Sequence, residues 1–309
     1  ERLEDMTPCI ACLQGCVANM YAGNPVCCLT NPFLGHEAEP LEKAEEPKKV
    51  MVIGGGVAGL SAAFIAQEKG HQVTLYEASD KLGGNMRLAA YPPGKGDITN
   101  MIRSYIHRCQ KDGVKIVMNC EVTPELIKEE KPDSVIIATG SKTLILPIEG
   151  IDNPAIIHGS DLLDGKRAAG KKVLVVGGGM VGCETAAFLG EQEHDVTVIE
   201  FRDTVGADVI HEHRVYLMKD FEDYGIKEIT GAKVCKFYED GVEYETADGV
   251  RHESRGYDSV ILSMGFRNYN PLEEKIKDLV PETHVIGDAI RARRALDATK
   301  EAYEVASRI

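Results

Sequence analysis

A motif of three glycines and one glutamate occurs twice in this 309-residue chain, and the two copies are 123 residues apart. In each copy a short apolar run leads into the glycines, a helical pattern follows, and a second apolar run ends at the glutamate. This order predicts a strand, a tight turn, a helix and a parallel strand, so the chain contains two copies of one crossover unit. The repeated residues are Gly54, Gly56, Gly59 and Glu77 in the first copy and Gly177, Gly179, Gly182 and Glu200 in the second.

Each of these turns predicts a dinucleotide site. A pyrophosphate can sit on a helix N-terminus only where the backbone approaches closely, which requires no Cβ at the first two glycines, and the third glycine lets helix and strand pack. The glutamate follows the last glycine by 18 residues, where its carboxylate can accept hydrogen bonds from ribose hydroxyls. Two ordinary glycine turns are the alternative, but strand, spacing and acid agree in both copies. We therefore expect one permanently held redox cofactor, FAD, and one exchanging substrate, NAD(P)H.

Glu200 also bears on the choice between NADH and NADPH. Its carboxylate repels the 2′-phosphate of NADPH and suits the free ribose hydroxyl of NADH. Arg202 lies two positions further along the chain and could compensate that charge. We expect NADH to be preferred, with NADPH as the alternative.

The charge of the chain argues against nucleic-acid and membrane-surface partners. Its 35 basic and 49 acidic residues give a net charge of −14, which repels phosphate backbones and anionic headgroups. The longest apolar stretch, residues 50–66, is interrupted by four glycines and predicts a buried strand, turn and helix instead of a bilayer span. The N-terminus has no export signal, so we expect a cytoplasmic protein.

Residues 283–289, Thr-His-Val-Ile-Gly-Asp-Ala, resemble the second FAD motif of flavin disulfide-reductase-like proteins. The resemblance implies that Gly287 and Asp288 contact the FAD, with the Asp288 carboxylate on the ribityl chain; a plain helix cap is the alternative for Asp288. It also implies that a helix starting near Asp297 points its N-terminus at the flavin, where negative charge appears on reduction. Further contacts along the FAD are implied for Leu82, Gly83, Gly84, Thr139 and Gly140.

The same resemblance implies an α/β fold with two nested Rossmann-like domains of the glutathione-reductase type. Residues 49–155 with 260–309 are expected to bind FAD, and residues 156–259 to bind NAD(P)H. Residues 1–48 are then a cysteine-rich loop followed by an acidic, proline-containing linker. We expect strands leaving one domain for the other near Gly140 and Gly265.

The chain departs from disulfide reductases directly after Gly84. It continues Asn-Met-Arg-Leu-Ala-Ala, without the paired cysteines that true disulfide reductases place beside the flavin. The absence of this pair disfavours a trimmed disulfide reductase acting with an external thiol partner, so electrons on the flavin need another exit. Four isolated cysteines are expected to be buried apolar residues, the first in a helix and the second in a strand: Cys109, Cys120, Cys183 and Cys235.

Five of the nine cysteines fall within residues 9–28. Because a long chain without an export signal keeps its thiols reduced, this density favours metal binding over disulfides. The spacing Cys-x2-Cys-x3-Cys-x11-Cys matches a 4Fe-4S cubane, in which each iron takes one thiolate. Structural zinc is the alternative, although zinc ribbons usually show two Cys-x-x-Cys knuckles and this segment has one. The candidate ligands are Cys9, Cys12, Cys16 and Cys28, and spacing alone leaves Cys27 in competition for the fourth position.

The residues around these cysteines carry a second resemblance. Residues 28–37, Cys-Leu-Thr-Asn-Pro-Phe-Leu-Gly-His-Glu, resemble a segment of the 2,4-dienoyl-CoA reductase, 2-enoate reductase and trimethylamine dehydrogenase family, in which Cys-x-x-Asn-Pro is followed by Gly-Arg-Glu. Residues 8–16 are similar to the cluster loop of that family in spacing and residue type. His36 replaces the usual arginine. The resemblance places the fourth cluster ligand at Cys28.

Members of that family carry a (β/α)8 barrel before the cluster, which binds FMN and converts the organic substrate. Only eight residues precede Cys9, whereas a barrel needs about 200 or more, so we expect a fragment of a longer reductase, with a separate barrel polypeptide as the alternative. The resemblance implies hydride transfer from NADH to FAD, then single electrons through the cluster to FMN, where an activated C=C bond of an enoate or enoyl-CoA is reduced. Glu184 resembles a glutamate near the nicotinamide in related flavoproteins; an ordinary helix residue is the alternative.

Two other assignments stay open. The chain could be the NAD(P)H-oxidising module of a glutamate-synthase-like or dihydropyrimidine-dehydrogenase-like system, although those carry a longer, more cysteine-rich N-terminal region. One nucleotide site could instead hold a structural ADP, as the trimethylamine dehydrogenase branch resembles, against which Glu77 together with Asp288 argues. The sequence does not specify the organic substrate or the oligomeric state, so monomer and homo-oligomer are both open.

Overall fold

The computed structural model describes residues 2–309, which fold as two units. The first unit contains the chain up to Ala90 together with Gly96–Lys142 and Arg267–Ile309. The second contains Tyr91–Lys95 and Thr143–Phe266. The predicted NAD(P)H-binding range, 156–259, lies inside this second unit.

The elements up to Thr143 comprise a short helix in the cysteine-rich segment followed by alternating strands and helices. In chain order they are α1 (Val17–Tyr21), β1 (Lys49–Ile53), α2 (Val57–Glu68), β2 (Gln72–Tyr76), α3 (Asn85–Leu88), α4 (Ile98–Lys111), β3 (Lys115–Val117), α5 (Pro124–Glu130), β4 (Ser134–Ile137) and β5 (Ser141–Thr143).

The remaining elements complete the second unit and then return to the first. They are β6 (Ile157–His158), α6 (Gly159–Leu163), β7 (Lys172–Val176), α7 (Met180–Glu191), β8 (Asp195–Ile199), α8 (His211–Asp223), β9 (Lys227–Ile229), β10 (Lys233–Tyr238), β11 (Gly241–Glu245), β12 (Arg251–Ser254), β13 (Ser259–Leu262), β14 (Phe266–Asn268), α9 (Glu273–Ile276), β15 (Glu282–Val285) and α10 (Ala295–Ala306).

Each unit is built on a five-stranded parallel sheet, and four of the five strands have equivalent positions in the two sheets. The first is β15-β4-β1-β2-β3 and the second is β6-β13-β7-β8-β9. In register, Lys49 of β1 pairs with Gln72 of β2, and Lys172 of β7 pairs with Asp195 of β8, which preserves the sequence offset. Parallel neighbours need crossover connections, and α2 and α7 supply the equivalent crossovers. The prediction of paired Rossmann-like α/β units is confirmed, and residues 2–309 contain no (β/α)8 barrel.

The core of the first unit forms around α2. Residues 57–66 of this helix are all buried, which is the pattern of a helix covered on every side. Phe64 is fully buried and meets the ring of Tyr105 edge-on at 5.2 Å. Helix α2 contains several small residues, which let the neighbouring strands and helices approach closely. The turn that precedes α2 therefore lies on a closely packed core.

The cysteine-rich segment packs against this same core. Ile10 and Leu29 are buried in it, and the Tyr105 hydroxyl donates a hydrogen bond to the Leu29 carbonyl at 3.0 Å. Phe33 lies 5.5 Å from the ring of Tyr303, edge-on. The segment is therefore anchored to the first unit at several points. Among residues 2–309, no helix combines the length and the apolar character needed to cross a lipid bilayer.

Candidate functional site

The first glycine turn, with Glu77, is called here the first cradle. Gly54 has a φ of 109°, and a Cβ on it would lie 2.3 Å from the Ala138 carbonyl oxygen. A Cβ on Gly59 would lie 1.9 Å from the Gly54 carbonyl oxygen, so a side chain at either position collides with backbone. At Gly56 the nearest atom to such a Cβ is the Gly84 Cα, 4.0 Å away, so no side chain lies within that distance. The start of α2 is therefore not covered by a side chain, and the N-terminal amides of a helix are the groups that bind anions.

The second glycine turn, with Glu200, is the second cradle and repeats this geometry. Gly177 has a φ of 105°, and its Cβ would lie 2.4 Å from the Ser263 carbonyl oxygen. A Cβ on Gly182 would lie 1.8 Å from the Gly177 carbonyl oxygen. Each of these two separations differs by 0.1 Å from its counterpart in the first cradle. Both turns thus have the close backbone approach that dinucleotide binding requires.

The two glutamates connect each turn to the end of the neighbouring strand. The Gly55 amide donates to Glu77 Oε2 at 2.7 Å, and the Gly178 amide donates to Glu200 Oε2 at 2.6 Å. The other carboxylate oxygen of Glu200 accepts from the Arg202 amide at 2.9 Å. A carboxylate offers about four acceptor positions, so both glutamates retain capacity for ribose hydroxyls.

Gly83 and Gly84, which are predicted to lie along the cofactor, pack against the first cradle. The Gly83 amide donates to the Gly55 carbonyl at 2.8 Å, and a Cβ on Gly84 would lie 3.1 Å from the Gly56 Cα. Leu82 also belongs here, because a Cβ on Gly55 would lie 2.5 Å from its side chain. These residues continue the glycine-lined surface beyond the turn.

The C-terminal motif also reaches the first cradle. A Cβ on Gly287 would lie 3.1 Å from the Ala58 Cβ, which places the motif beside the first turn of α2. Asp288 is half-buried and accepts hydrogen bonds from the Ser141 hydroxyl at 2.8 Å and the Arg293 amide at 3.0 Å. It does not cap α10, whose N-cap is Arg294.

The start of α10 and the end of β4 complete the predicted contacts. Asp297 lies in the first turn of α10, where its carboxylate accepts from the Arg294 amide at 3.2 Å. The Thr139 hydroxyl donates to the Tyr269 carbonyl, and the Tyr269 amide donates to the Gly140 carbonyl at 2.9 Å. These residues of the first unit fit an extended dinucleotide that starts at the glycine turn and passes Asp288.

One residue at the second cradle has no counterpart in the first and was not anticipated from the sequence. Asp208 Oδ1 accepts a hydrogen bond from the Met180 amide at 2.8 Å, at the first residue of α7. At the start of α2 the corresponding neighbour is backbone, because Gly56 forms an isolated parallel bridge with Gly83. Asp208 lies in an irregular loop eight residues after Glu200, so no periodic pattern signals it.

Glu184, the candidate residue near the nicotinamide, lies inside α7 and is only 8% exposed. Burial raises the pKa of its carboxyl, and the neighbouring Lys95 ammonium opposes that rise. Glu184 forms an ion pair with Lys95, which comes from the short stretch Tyr91–Lys95 of the second unit. His213 and Asp208 also act on Glu184 electrostatically. Glu184 therefore lies among charged side chains at the start of α7.

A cavity of about 520 Å³ lies beside the end of β8 in the second unit. Both Arg202 and Lys233 line it, so cationic groups border the predicted ribose position at Glu200. Phe201 is 69% exposed at the same place and offers an aromatic surface. The lining residues are Phe201, Arg202, Asp203, Gly231, Lys233, Glu245, Thr246 and Ala247.

Cys12 lies within electrostatic range of the other three candidate cluster ligands. Burial raises the pKa of the Cys12 thiol, and charges on Cys28, Cys16 and Cys9 raise it further. Within residues 2–309 no three His, Cys, Asp or Glu side chains converge tightly enough to hold a single metal ion. A cubane binds one thiolate at each iron, so its ligands are spread more widely than those of one ion.

The loop that carries Cys27 and Cys28 closes back on the first three cysteines. The Cys27 amide donates to the Gly15 carbonyl at 2.9 Å, and its sulfur accepts from the Asn19 amide group at 3.4 Å. The Cys28 sulfur lies 3.3 Å from the Thr30 hydroxyl. Cys28 acts electrostatically on Cys12, and both Cys28 and Cys16 act on Cys27, so both sulfurs lie near the first three cysteines. The choice of Cys28 as fourth ligand remains a prediction.

The four isolated cysteines divide into two pairs. Cys109 in α4 and Cys183 in α7 are fully buried, and burial raises the pKa of each to about 12, so both stay protonated as apolar residues. The expectation is wrong for the other two, because Cys120 and Cys235 are only half-buried. Cys120 also lies in the loop after β3 instead of in a strand.

Comparison with known proteins gives the following matches. The family described as pyridine nucleotide-disulphide oxidoreductase matches residues 48–286. Cinnamate reductase of Clostridium sporogenes is 33% identical over 313 residues, covering 100% of this chain and 46% of the relative. NADH oxidase of Thermoanaerobacter brockii is 33% identical over 317 residues, covering 100% of this chain and 48% of the relative.

A solved structure of 2-naphthoyl-CoA reductase in complex with 2-naphthoyl-CoA superimposes with a TM-score of 0.94 at 33% sequence identity. The alignment covers 99% of this chain and 47% of that one. The chain thus spans about half the length of the curated relatives it matches. These relatives are longer enzymes that contain a region similar to both units.

Proposed function

Because the chain belongs to the pyridine nucleotide-disulphide oxidoreductase family and corresponds to the C-terminal half of enoate-reductase-type enzymes, we propose that it is the electron-input module of a longer NADH-dependent oxidoreductase. When bound, FAD would supply two-electron chemistry toward NADH and one-electron chemistry toward a 4Fe-4S cluster. The observation that carries the proposal is the pair of matching cradles. Hydride transfer from one nucleotide to another requires two dinucleotide sites, and this chain carries two cradles.

The residues of the first unit are proposed to hold the FAD. Gly54 and Gly59 let the pyrophosphate approach the amides at the start of α2, and Glu77 accepts from the adenosine ribose. Asp288 is anchored through Ser141 and Arg293, and its carboxylate would accept from the ribityl hydroxyls. The first turn of α10 supplies the positive end of a helix dipole for the reduced ring.

The second unit is proposed to take NADH. Glu200 is held at the end of β8 by two backbone amides, where its charge favours a free 2′-hydroxyl over a 2′-phosphate. Arg202 and Lys233 border the adjacent cavity and are the groups that would accept a 2′-phosphate if NADPH bound instead. The name of the NADH oxidase relative supports NADH as the donor.

The cysteine segment is proposed to hold the cluster through Cys9, Cys12, Cys16 and Cys28. Its support is the spacing, the resemblance of the flanking residues and the electrostatic influence of the other three thiols on Cys12. Replacing Cys28 with Ser should abolish bound iron, whereas Cys27→Ser should retain it. Iron and sulfide are measured per chain after anaerobic purification. Loss of iron in Cys27→Ser with retention in Cys28→Ser would reverse the assignment.

The electron acceptor is proposed to be FMN in a barrel that precedes this region in the longer enzyme. The relatives named cinnamate reductase and 2-naphthoyl-CoA reductase support a conjugated enoate or thioester as the small-molecule substrate of the whole protein. No residue of this chain is assigned to that substrate, because the proposal places it on the barrel.

An anaerobic absorbance spectrum with flavin, iron and zinc analysis tests the proposal. The purified protein should contain about one flavin and about four irons per chain. NADH should bleach both the flavin band and the broad iron-sulfur absorbance, and NADPH should do so more slowly. A chain that contains zinc and no flavin, or flavin that NADH does not reduce, would contradict the proposed function.

A further inference from the structure

The second cradle differs from the first at the start of its helix, where a side-chain carboxylate accepts a hydrogen bond from a backbone amide. Asp208 Oδ1 accepts from the Met180 amide, and a Cβ built on Gly179 would lie 3.4 Å from Asp208 Oδ2. The carboxylate therefore lies directly over the glycine turn. Helix α7 has 12 residues, so its N-terminus carries a substantial partial positive charge.

We propose that Asp208 lowers the affinity of the second cradle for its nucleotide, because its carboxylate competes with the pyrophosphate for the Met180 amide. The inference rests on the proposed function, since it takes the ligand of the second cradle to be a dinucleotide. It adds a residue that sets the affinity, and it explains why one site of the pair exchanges its nucleotide.

The competition follows from charge and position. An aspartate carboxylate and a pyrophosphate are both anionic at neutral pH. Two anions within hydrogen-bonding distance of one amide repel each other, so the nucleotide must displace Asp208 from Met180 to use the helix N-terminus fully. The cost of that displacement is subtracted from the binding free energy of the nucleotide.

The surrounding charges strengthen this argument. Lys95, His213 and Asp208 all act electrostatically on Glu184, so acidic and basic groups are balanced around the start of α7. Removing the negative charge of Asp208 leaves the start of the helix with a more positive potential. An incoming pyrophosphate is then attracted more strongly.

The first cradle supplies the contrast within the same molecule. At the first cradle Gly56 forms an isolated parallel bridge with Gly83, and a Cβ on Gly56 would meet the Gly84 Cα at 4.0 Å and no carboxylate within that distance. A nucleotide arriving there displaces no side chain. The first cradle is therefore suited to a permanently held cofactor and the second to a nucleotide that leaves after each turnover.

The experiment titrates NAD⁺ into the flavin-loaded protein by isothermal calorimetry and compares wild type with Asp208→Asn. Asparagine keeps the size and the acceptor oxygen but removes the charge, so the Kd for NAD⁺ should fall about three- to tenfold. ADP-ribose should show the same change, whereas adenosine, which lacks the pyrophosphate, should show none. Glu239→Gln is the matched control, since Glu239 is an exposed acid of the β10–β11 turn, and its Kd should equal that of wild type.

Each outcome has a separate meaning. An unchanged or higher Kd for NAD⁺ in Asp208→Asn would overturn the inference, as would an equal shift for adenosine. Failure of wild-type protein to bind NAD⁺ would overturn the proposed function itself. Flavin content and melting temperature verify the fold of each variant, and Asp208→Ser provides the same comparison if Asp208→Asn does not fold.

Discussion

The first and second cradles share a backbone and differ in the side chains that surround it. In both, the first glycine contacts the carbonyl that follows a parallel strand, and the third glycine contacts the carbonyl of the first. At the second cradle, by contrast, the Asp208 carboxylate accepts from the first amide of α7, whereas the start of α2 meets backbone at Gly83 and Gly84. Close packing therefore determines the conformation of the glycine turn, while neighbouring side chains determine how tightly the turn holds a ligand.

A second difference lies at the other end of the repeated helices, where each unit has a histidine. His71 and His194 are equivalent, since they are 123 positions apart. His71 is 1% exposed; its Nδ1 accepts from the Lys48 amide at 3.1 Å, and its Nε2 donates to the Ile309 carbonyl. His194 is half-buried and donates from Nδ1 to the Gly170 carbonyl at 2.7 Å. Equivalent residues thus have opposite hydrogen-bonding roles at Nδ1.

The largest effect is expected from substitutions in the glycine turns, whose backbone is the same in both cradles. Gly59→Ala and Gly182→Ala each place a Cβ within 2 Å of a backbone oxygen, so each should lower the free energy of unfolding by about 3 kcal/mol. Urea unfolding measures the change. Gly59→Ala should also lose flavin, and Gly182→Ala should lose NAD⁺ binding.

Gly96→Ala is the control for these two variants, because a Cβ on Gly96 meets no atom within 4 Å. Its stability should equal or slightly exceed that of wild type. Wild-type stability in Gly59→Ala or Gly182→Ala would contradict the packing account of the turns.

The next effect separates the two cradles by ligand. Glu77→Ala removes the acceptor for the Gly55 amide and should reduce retained FAD, without changing the Kd for NAD⁺. Glu200→Ala should raise the Kd for NAD⁺ by about tenfold to a hundredfold, since a hydrogen bond to a charged group is lost, and should leave flavin content unchanged. Flavin absorbance and calorimetry measure the two quantities. The reverse pattern would exchange the assignments of the cradles.

The smallest effect concerns the histidine pair. Burial holds the pKa of His71 below its ordinary value of 6.5, with Lys69 and Lys48 acting in the same direction and Glu282 against it. The neutral ring stabilises the fold fully above pH 6.5, and this contribution is lost as the pH falls through 6.5 toward the lower folded-state pKa. Protonation breaks the Lys48 hydrogen bond, so the loss should be about 1 kcal/mol.

Urea unfolding at pH 7.5 and 5.5 measures this loss in wild type, His71→Asn and His194→Asn. The His71→Asn variant should lack this component of the pH dependence, because asparagine does not titrate. His194→Asn is the matched control and should keep the wild-type pH dependence, because the hydrogen bond from the Lys48 amide to His71 is intact in it. A larger change in His194→Asn would break the comparison.

The sequence was sufficient for the parts of the fold that depend on local contacts. A strand, a glycine turn, a helix and an acid span about 30 residues, and the absence of Cβ at Gly54 and Gly59 is visible in the sequence itself. The second copy of the motif then supported the same prediction independently. The resemblance to enoate-reductase-type enzymes is confirmed by the relatives of 33% identity.

Contacts between distant or irregular segments could not be predicted. Lys95 reaches Glu184 across 89 positions, from a proline- and glycine-containing loop with no periodic pattern. Asp208 lies in a loop whose path depends on packing of the second unit as a whole. Cys120 was expected in a strand, but β3 ends at Val117 and Cys120 follows it in a loop.

The pairing of Lys95 with Glu184 has a practical consequence for dissecting the molecule. A linear piece running from Thr143 to Phe266 would contain the buried acid and omit its cation. Losing the partner of a buried ion pair is strongly destabilising, so such an excised domain should melt well below the intact chain. Splicing Tyr91–Lys95 back through a short tether is the rational way to isolate this half for titration.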